Sequence, residues 1–182
     1  MVVKTRMTLA EFEEVAESLG PCELVRGEVV FLSPAGVPHS LITTNVAMLL
    51  ETWARRTRRG RTLTGEPGLV TEEKPGTVRG ADVAYFSYRR LPRRRQPQGF
   101  ARVPAELVVE VVGKGRGWRE VMEKAGEYLR MGVDRVWIVD PKTRRLHIFR
   151  PDGEPQVLAE RDVVADPAIL PGFRCRVRDF FA

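Results

Sequence analysis

The hydrophobic pattern from Glu106 to Asp140 predicts a strand, a helix and a second strand, and the rest of the chain is organised around this unit. Residues 106–112 form a nearly continuous β-branched run, which is typical of a buried strand. Residues 118–131 have helical spacing, and residues 136–139 form another apolar strand. Glu110 lies in the middle of the first run. Because a buried charge is costly unless it is paired, the pattern predicts a partner for Glu110.

Apolar spacing and end signals predict two more helices and several shorter strands. Thr8 to Glu11 has the pattern of a capping box, and the helix that it starts ends at Gly20-Pro21. A longer helix runs from Pro38 to about Arg59, with Gly60 as its predicted C-terminal cap. The remaining apolar runs predict a hairpin around Arg26-Gly27 and strands within residues 61–72, 82–86, 145–149, 154–158 and 174–177.

Length and composition indicate a single globular domain over residues 1–182. The content of 43% hydrophobic and 30% charged residues is ordinary for a soluble protein. There is no signal peptide and no apolar run near the length of about 18 residues that a membrane helix needs, so we predict no membrane contact. Cys22 and Cys175 are isolated from each other and from any His cluster, which argues against zinc and favours two buried thiols in a reducing cytoplasm.

The charge balance suits an anionic partner such as nucleic acid but does not establish one. The chain has 30 Lys and Arg against 24 Asp and Glu, a formal net charge of +6 and a pI of about 9.8. Most of the basic residues are arginines, which form bidentate phosphate contacts. Base-composition bias or heat adaptation is the alternative reason for their number. Three arginine clusters, within 55–61, 89–95 and 174–178, could contact phosphates or form solvated faces.

Two carboxylates lie against apolar backgrounds, since Asp82 opens one predicted strand and Glu110 lies inside another. If these strands pair, the two like charges meet and raise each other's pKa, which a divalent cation would relieve. Mg²⁺ typically takes one or two carboxylates with waters and phosphates, and the backbone carbonyl of Val111 could supply another oxygen. Lys124, on the following helix, could bring an ammonium group to the same place. The alternative is a salt bridge from Glu110 to Lys124 or Arg119, with Asp82 as a turn cap.

The order of Asp82, Glu110 and a lysine on the next helix resembles the PD-(D/E)XK nuclease superfamily. From about residue 23 to its end, the chain more closely resembles the Uma-type family, bacterial domains described as "putative restriction endonucleases". Each matching segment is weak alone, but their common order is specific. The segments are Glu23-Leu-Val-Arg-Gly-Glu28, Leu32-Ser-Pro34 with His39, Ala81-Asp82-Val-Ala84, Pro104 to Val112, Glu123 to Pro141 and Leu170-Pro-Gly-Phe173.

The resemblance implies a restriction-endonuclease-like fold of the α/β (α+β) class. Its mixed β-sheet core would be flanked by helices, with an N-terminal helix and hairpin and C-terminal antiparallel strands. The resemblance also implies cleavage of DNA phosphodiester bonds, with Mg²⁺ (or Mn²⁺) held by Asp82 and Glu110. The active-site lysine would be Lys124, displaced from the strand onto the helix. Resembling nucleases often pair to cut two strands, so a homodimer is compatible with this function.

Four residues are candidate auxiliary groups. The resemblance implies that Glu28 and His39 lie near the metal or its waters, and Glu23 is a weaker candidate of the same kind. By itself, His39 would be interpreted as a helix-start cap or a surface histidine. Tyr128 shares a helix face with Lys124, which predicts core packing or, alternatively, a hydrogen bond to the site.

The chain departs from the family pattern just after Glu110. Val112 stands where the simplest motif has its lysine, and Gly113-Lys114-Gly115 replaces a serine-containing turn. Lys114 is therefore a second candidate for the lysine role, or a phosphate contact. These departures leave an alternative function open, in which a catalytically inactive nuclease-fold protein binds nucleic acid without cleavage.

The loop 88–100 is rich in arginine and proline and follows the strand that opens at Asp82, so it could flank the scissile phosphate. The alternative is a disordered or solvated loop. No helix-turn-helix or zinc-finger pattern is present, so we expect no strong sequence preference and a steep loss of DNA affinity with added salt. The predicted DNA contacts are Arg89, Arg90, Arg93, Arg94, Arg95 and Arg116.

Overall fold

The computed structural model describes residues 6–94, 97–113 and 117–182. Three candidate residues, Lys114, Arg95 and Arg116, lie outside this part of the chain. Within it are the helices α1 (Leu9–Leu19), α2 (Val37–Thr57) and α3 (Trp118–Met131). The strands are β1 (Cys22–Val25), β2 (Glu28–Phe31), β3 (Gly60–Thr64), β4 (Gly68–Glu72), β5 (Thr77–Gly80), β6 (Val83–Ser87), β7 (Leu107–Val111), β8 (Arg135–Asp140), β9 (Arg145–Phe149), β10 (Gln156–Leu158), β11 (Val163–Val164) and β12 (Cys175–Arg176), and a 3₁₀ helix (Val177–Phe181) follows.

A six-stranded mixed sheet in the order β10-β9-β8-β7-β6-β3 forms the centre of the fold. Strands β7 and β8 run parallel, as expected for strands joined by a helical crossover, here α3. A four-stranded antiparallel sheet, β2-β1-β5-β4, and the two-stranded sheet β11-β12 complete the architecture. The predicted mixed sheet with flanking helices, an N-terminal helix and hairpin, and C-terminal antiparallel strands is therefore confirmed.

Local signals in the sequence explain where several of these elements begin and end. Thr8 and Glu11 form both hydrogen bonds of a capping box at the start of α1. Gly132 ends α3 in the left-handed conformation, at φ 101°. Arg26 and Gly27 are also left-handed, at φ 50° and 80°, which makes the tight turn between β1 and β2.

Strand alternation divides the central sheet into two faces. Odd-numbered residues of β6 and β7, such as Val83 and Val109, belong to the core cluster that includes the buried side of α2. Even-numbered residues, such as Ala84 and Val108, belong to the cluster that includes the buried side of α3. Each fully buried valine stabilises the fold by about 1.5–3 kcal/mol, so a shift by one residue, which exchanges the faces, is strongly disfavoured. Glu110 continues the even series, and its carboxylate therefore faces α3.

The two larger sheets meet at the short segment Gly80-Ala81-Asp82. Gly80 is the last residue of β5, and Asp82 immediately precedes β6. Side chains from β1 and β5 of the smaller sheet, from β7 of the central sheet and from α3 therefore approach the same piece of backbone. The candidate functional residues converge on this junction.

Some details of the sequence-based prediction were wrong. The C-cap of α2 is Arg58, at φ 55°, and not Gly60. Gly60 instead begins β3, where an added Cβ would lie 2.2 Å from the carbonyl oxygen of Phe86, so this position requires glycine for close packing. Thr77–Gly80 forms β5, a strand that the sequence pattern did not indicate. The last predicted strand is only two residues long, Cys175–Arg176.

Two observations bear on the predicted surroundings of the protein. Cys22 and Cys175 are free, and each is partly buried rather than fully buried as predicted. Burial raises the pKa of the Cys175 thiol to about 12, so this thiol stays neutral at physiological pH. In the part of the chain that the structure describes, no helix has the length and apolar character to cross a membrane.

Candidate active site

Asp82 is held at the beginning of β6 by contacts from two neighbouring elements. Its Oδ2 accepts a hydrogen bond of 2.6 Å from the backbone N–H of Val111 on β7. The same oxygen lies 3.2 Å from Nε2 of His39 on α2. The antiparallel pairing of β6 with β7 brings Asp82 next to Glu110 across the strand pair. Asp82 therefore bonds to a neighbouring strand instead of capping a turn.

Glu110 is 2% exposed and finds its partners on α3. Its Oε1 accepts a hydrogen bond of 2.8 Å from the hydroxyl of Tyr128, and both carboxylate oxygens lie 3.1 Å from Nζ of Lys124. Burial raises the pKa of Glu110 to about 7; Lys124 and Tyr128 lower it only in part, and the charge of Asp82 raises it further. At neutral pH this carboxyl group is poised between its two protonation states.

Lys124 is 1% exposed, and its ammonium group lies between two carboxylates. Nζ donates a hydrogen bond of 2.8 Å to the carbonyl oxygen of Gly80. It lies 3.0 Å from Oε1 of Glu23 and 3.1 Å from Glu110. Lys124 and Tyr128 are four residues apart, so they project from the same face of α3. One buried cation therefore serves two buried anions.

Glu23 has a more central place than the sequence indicated. Its Oε1 accepts hydrogen bonds of 3.0 Å from the backbone N–H of Gly80 and from Lys124, and its Oε2 accepts one of 3.0 Å from Nη1 of Arg79. Burial alone would raise the pKa of Glu23, but the charges of Lys124 and Arg79 outweigh it and the pKa is lowered. The ionised form of Glu23 is therefore favoured, and its carboxylate holds the ammonium group of Lys124 in an ion pair.

Arg79 on β5 is a residue of the cluster that sequence reasoning missed. Its side chain is 6% exposed. Besides Glu23, it binds Glu127, to which Nε donates at 2.6 Å and Nη2 at 3.0 Å. Glu127 lies three residues after Lys124 on α3, so Arg79 ties that helix to β1 and β5. Because β5 has only four residues, no periodic pattern marked Arg79 as buried.

Comparison with known proteins identifies the family. A family model described as "Putative restriction endonuclease", Uma2, matches residues 9–178. The chain belongs to the Uma2 family. It is also similar to the crystal structure of "a putative nuclease belonging to DUF820 from Anabaena variabilis ATCC 29413", with a TM-score of 0.83 and 19% identity over 96% of this chain and 97% of the other. That likeness shows a shared fold, and no curated protein matches the chain significantly.

In this Uma2 chain, the pair of Asp82 and Glu110 suits the oxygen ligands that Mg²⁺ prefers. Glu110 and Glu23 share the ammonium group of Lys124, and the surplus negative charge of nearby Asp82 contributes to the raised pKa of Glu110. A divalent cation would neutralise this surplus. No group of three His, Cys, Asp or Glu side chains that could hold a metal ion occurs among the described residues. Mg²⁺ needs only one or two carboxylates, with water and phosphate as further ligands, so the donor set fits this ion.

The other auxiliary candidates of the Uma2 chain lie farther out. His39 is 19% exposed and lies beside Asp82. Glu28 is 57% exposed and pairs with Arg6 at 3.1 Å. Glu28 also lines a surface cavity of about 440 Å³, to which Arg79 contributes from the buried side. The structure therefore brings His39 to the hydrogen-bonded cluster but leaves Glu28 at the surface.

Among the predicted DNA contacts, Arg90 is turned inward. Its Nη2 donates to both carboxylate oxygens of Asp134, at 2.9 and 2.8 Å, and its Nη1 donates to the carbonyl oxygen of Ala105 at 2.7 Å. It also pairs with the buried Glu106 at 3.4 Å. These contacts tie the guanidinium of Arg90 into the fold, and its role as a DNA contact stays a prediction. The exposed predicted contacts in the described residues are Arg89, Arg93 and Arg94.

The raised pKa of Glu110 predicts a pH dependence of stability in the absence of metal. The pKa is ordinarily 4.5 and rises to about 7 in the fold, so between these values the folded protein keeps a proton that the unfolded chain releases. The stabilisation is complete below pH 4.5 and is lost as the pH rises to 7. At about 1.4 kcal/mol per pKa unit, the loss is on the order of 3 kcal/mol.

Urea unfolding in a chelator measures this loss, with Glu110→Gln as the reference because glutamine does not titrate. The free energy of unfolding of the wild type should fall relative to Glu110→Gln as the pH rises. Added Mg²⁺ should restore more stability at high pH than at low pH, because protons and cation compete for the same oxygens. Parallel pH profiles for the two proteins would contradict the prediction.

Proposed function

We propose that this Uma2-family protein is a DNA endonuclease that depends on Mg²⁺ (or Mn²⁺) and hydrolyses phosphodiester bonds. The observation that carries the proposal is the approach of Asp82, Glu110 and Lys124, from three separate parts of the chain, at the junction of two sheets. Family membership supports nuclease chemistry as the class of reaction.

In this proposal, some side chains of the cluster bind the metal ion, and others place a positive charge or a hydrogen bond beside it. Asp82, Glu110 and the backbone carbonyl of Val111 would hold the ion. When bound, it would neutralise the negative charge that develops on the phosphate during attack. Lys124 keeps a positive charge beside Glu110 and, in the proposal, assists the attacking water. Tyr128 orients the Glu110 carboxylate by its hydrogen bond to Oε1.

Exposure across the cluster indicates the side from which substrate approaches. Lys124 is 1% exposed, Asp82 is 7% exposed and His39 is 19% exposed. DNA would therefore approach from the side of His39 and Asp82, and Lys124 would act from the buried side of the cluster. The imidazole of His39, at 3.2 Å from Oδ2 of Asp82, would lie beside the bound ion and its waters.

A second candidate function is DNA binding without cleavage by a nuclease fold. Both oxygens of Glu110 already have partners, namely Lys124 and Tyr128, so an ion would have to share them. Val112 also stands where the simplest motif has its lysine. These observations favour a site in which side chains of the protein, and not a metal ion, neutralise Glu110.

Cleavage of supercoiled plasmid separates the two functions. With Mg²⁺ or Mn²⁺, the wild type should nick or linearise the plasmid, and a chelator should abolish this activity. Asp82→Asn should reduce the rate by at least about 100-fold, because the variant loses an anionic ligand worth several kcal/mol in the transition state. The exposed Asp152→Asn is the matched control and should cleave like the wild type.

Equal activity of the wild type and Asp82→Asn would overturn the proposed site. Metal-independent binding of the plasmid without cleavage would favour the second candidate function. Binding of no nucleic acid at low salt would contradict both functions.

The proposal also includes the setting in which the protein acts. We take residues 1–182 as one domain that works in the cytoplasm, where free thiols such as those of Cys22 and Cys175 persist. A homodimer would let two such sites cut both DNA strands. Sedimentation of the protein with and without DNA measures the number of subunits.

A further inference from the structure

Two arginine runs that are separate in the sequence form one surface in the fold. Strand β3 pairs with β6 so that Gly60 lies opposite Ser87 and Arg61 lies opposite Phe86. Just beyond this pair, the backbone N–H of Tyr88 donates a hydrogen bond of 2.8 Å to the carbonyl oxygen of Arg59. The end of α2 and the beginning of the loop after β6 are therefore held side by side.

Tyr88 organises the guanidinium groups of this surface. The Cζ atom of Arg93 lies 4.9 Å from the centre of the Tyr88 ring, and that of Arg61 lies 5.5 Å from it. Arg61 also donates a hydrogen bond of 3.1 Å from Nη2 to the carbonyl oxygen of Arg93. Stacking on an aromatic ring restrains long side chains without consuming their charge, so these cations stay available to an anion.

The charges of this surface are not balanced by acidic side chains. Two neighbouring arginines do have acidic partners, since Arg55 pairs with Glu51 and Arg90 pairs with Asp134. The other arginines at the end of α2, at the start of β3 and in the loop after β6 have no ion pair with a carboxylate in residues 6–94, 97–113 and 117–182. Six of these residues, which with Tyr88 we call the arginine surface, are Arg58, Arg59, Arg61, Arg89, Arg93 and Arg94.

The arginine surface lies at the opposite end of β6 from the candidate active site. Asp82 precedes Val83–Ser87, and Tyr88 follows it. At about 3.3 Å per residue, six residues of strand separate Asp82 from Tyr88 by about 20 Å. Tyr88, where the loop after β6 begins, therefore lies away from the candidate active site. A distance of about 20 Å corresponds to about six base pairs of duplex DNA.

We propose that the arginine surface is a second DNA contact, which binds backbone phosphates about half a helical turn away from the bond to be cut. This inference rests on the proposed function in taking DNA as the substrate. Guanidinium groups bind phosphates bidentately, and such contacts fix the position of a duplex without reading its sequence. The surface therefore holds the substrate in place and takes no part in hydrolysis.

The test measures binding of a duplex of about 24 base pairs in a chelator, so that no cleavage occurs. The variant R58Q/R59Q/R89Q removes three exposed charges. Its affinity should fall at least tenfold, and the slope of log K against log salt should become shallower by about 3, at about 0.9 per lost phosphate contact. The control R130Q/R145Q/R161Q removes three exposed arginines elsewhere and should change affinity less than threefold.

Equal losses for the two triple variants would overturn the proposal, because net charge alone would then explain binding. A second variant, Tyr88→Leu, keeps every charge but releases Arg61 and Arg93 from the ring, and it should weaken binding severalfold. Circular dichroism of each variant checks that it is folded. Wild-type affinity in a folded Tyr88→Leu would contradict the organising role of the ring.

Cleavage kinetics separate this inference from the proposed function. If the protein cleaves DNA, R58Q/R59Q/R89Q should raise KM and leave kcat within about twofold. A lower kcat with unchanged KM would place the surface at the scissile phosphate and overturn the inference. If the wild type binds DNA but never cleaves it, the proposed function fails while the binding assay still decides the role of the arginine surface.

Discussion

Replacing Lys124 with methionine is expected to lower the free energy of unfolding by about 3–5 kcal/mol at neutral pH. Methionine has a similar length, so the loss arises because Glu23 and Glu110 lose an ammonium group at 3.0 and 3.1 Å. The carbonyl oxygen of Gly80 also loses the shorter of its two hydrogen bonds, at 2.8 Å, and keeps the one from Tyr128 at 3.3 Å. Urea unfolding in a chelator measures the change. Lys142→Met, at an exposed lysine, is the control and should change stability by no more than about 0.5 kcal/mol.

The pH dependence of this loss identifies the carboxylate that carries it. Glu110, with a pKa raised to about 7, can take up a proton when Lys124 is absent, whereas the lowered pKa of Glu23 favours its charged form. The cost of Lys124→Met should therefore shrink as the solution is acidified, and K124M/E110Q should recover part of it. A cost no larger than that of Lys142→Met at any pH would contradict the buried ion-pair arrangement.

Arg79→Met is expected to be about as destabilising, at about 3–5 kcal/mol, because Glu127 loses its cation and Glu23 keeps only one of its two cations, Lys124. Arg79 donates at 2.6 and 3.0 Å to Glu127 and at 3.0 Å to Glu23. Arg102→Met is a matched control, since Arg102 also pairs with two carboxylates but is 47% exposed. The control should cost no more than about 1 kcal/mol, as exposed ion pairs contribute little.

A second substitution tests whether Arg79 acts through the proposed partners. R79M/E127Q should be more stable than Arg79→Met alone, because glutamine removes the carboxylate that Arg79→Met leaves without its cation. If the protein cleaves DNA, Arg79→Met should also slow cleavage under conditions where it remains folded, since Glu23 then holds Lys124 less firmly. Equal stability of Arg79→Met and Arg102→Met would show that the buried contacts of Arg79 do not support the cluster.

Elements with strong local signals could be predicted from the sequence. Helix α3 has the predicted bounds, residues 118–131, because its apolar spacing is regular and Gly132 ends it. The cost of burying Glu110 unpaired pointed to Lys124, since strand alternation and helical spacing decide which faces meet. A charge inside an apolar strand is thus informative even without any knowledge of the fold.

Contacts between distant parts of the chain could not be predicted in the same way. Arg79 and Glu23 are 56 residues apart, and their ion pair depends on how β1 and β5 pair in a sheet that the pattern did not indicate. Gly60 was interpreted as a helix cap because its requirement for a small residue comes from Phe86 on another strand. Local sequence signals predict the element to which a residue belongs. The roles of Arg79, Glu23 and Gly60 depend instead on contacts with residues of other elements.

The arginine-rich segments show that the charge pattern of the sequence also does not reveal contacts between distant segments. Composition predicted phosphate contacts in the loop after β6, but one of its residues, Arg90, binds Asp134, which lies 44 residues away. For the end of α2 the sequence left phosphate contact and a solvated face as alternatives, and it did not indicate that the pairing of β3 with β6 joins this segment to that loop. Counting arginines along the chain therefore named the two clusters that supply the arginine surface, but it did not show that they lie side by side.

Binding of Mn²⁺, followed by the electron paramagnetic resonance of the free ion at slightly alkaline pH, tests the central claim most directly. That claim is that Asp82 and Glu110 form one site for a divalent cation. The account predicts one bound ion in the wild type and in the exposed control Asp152→Asn, and loss of that ion in Asp82→Asn. A wild type that binds no ion, or an Asp82→Asn variant that binds it as well as the wild type, would contradict the account.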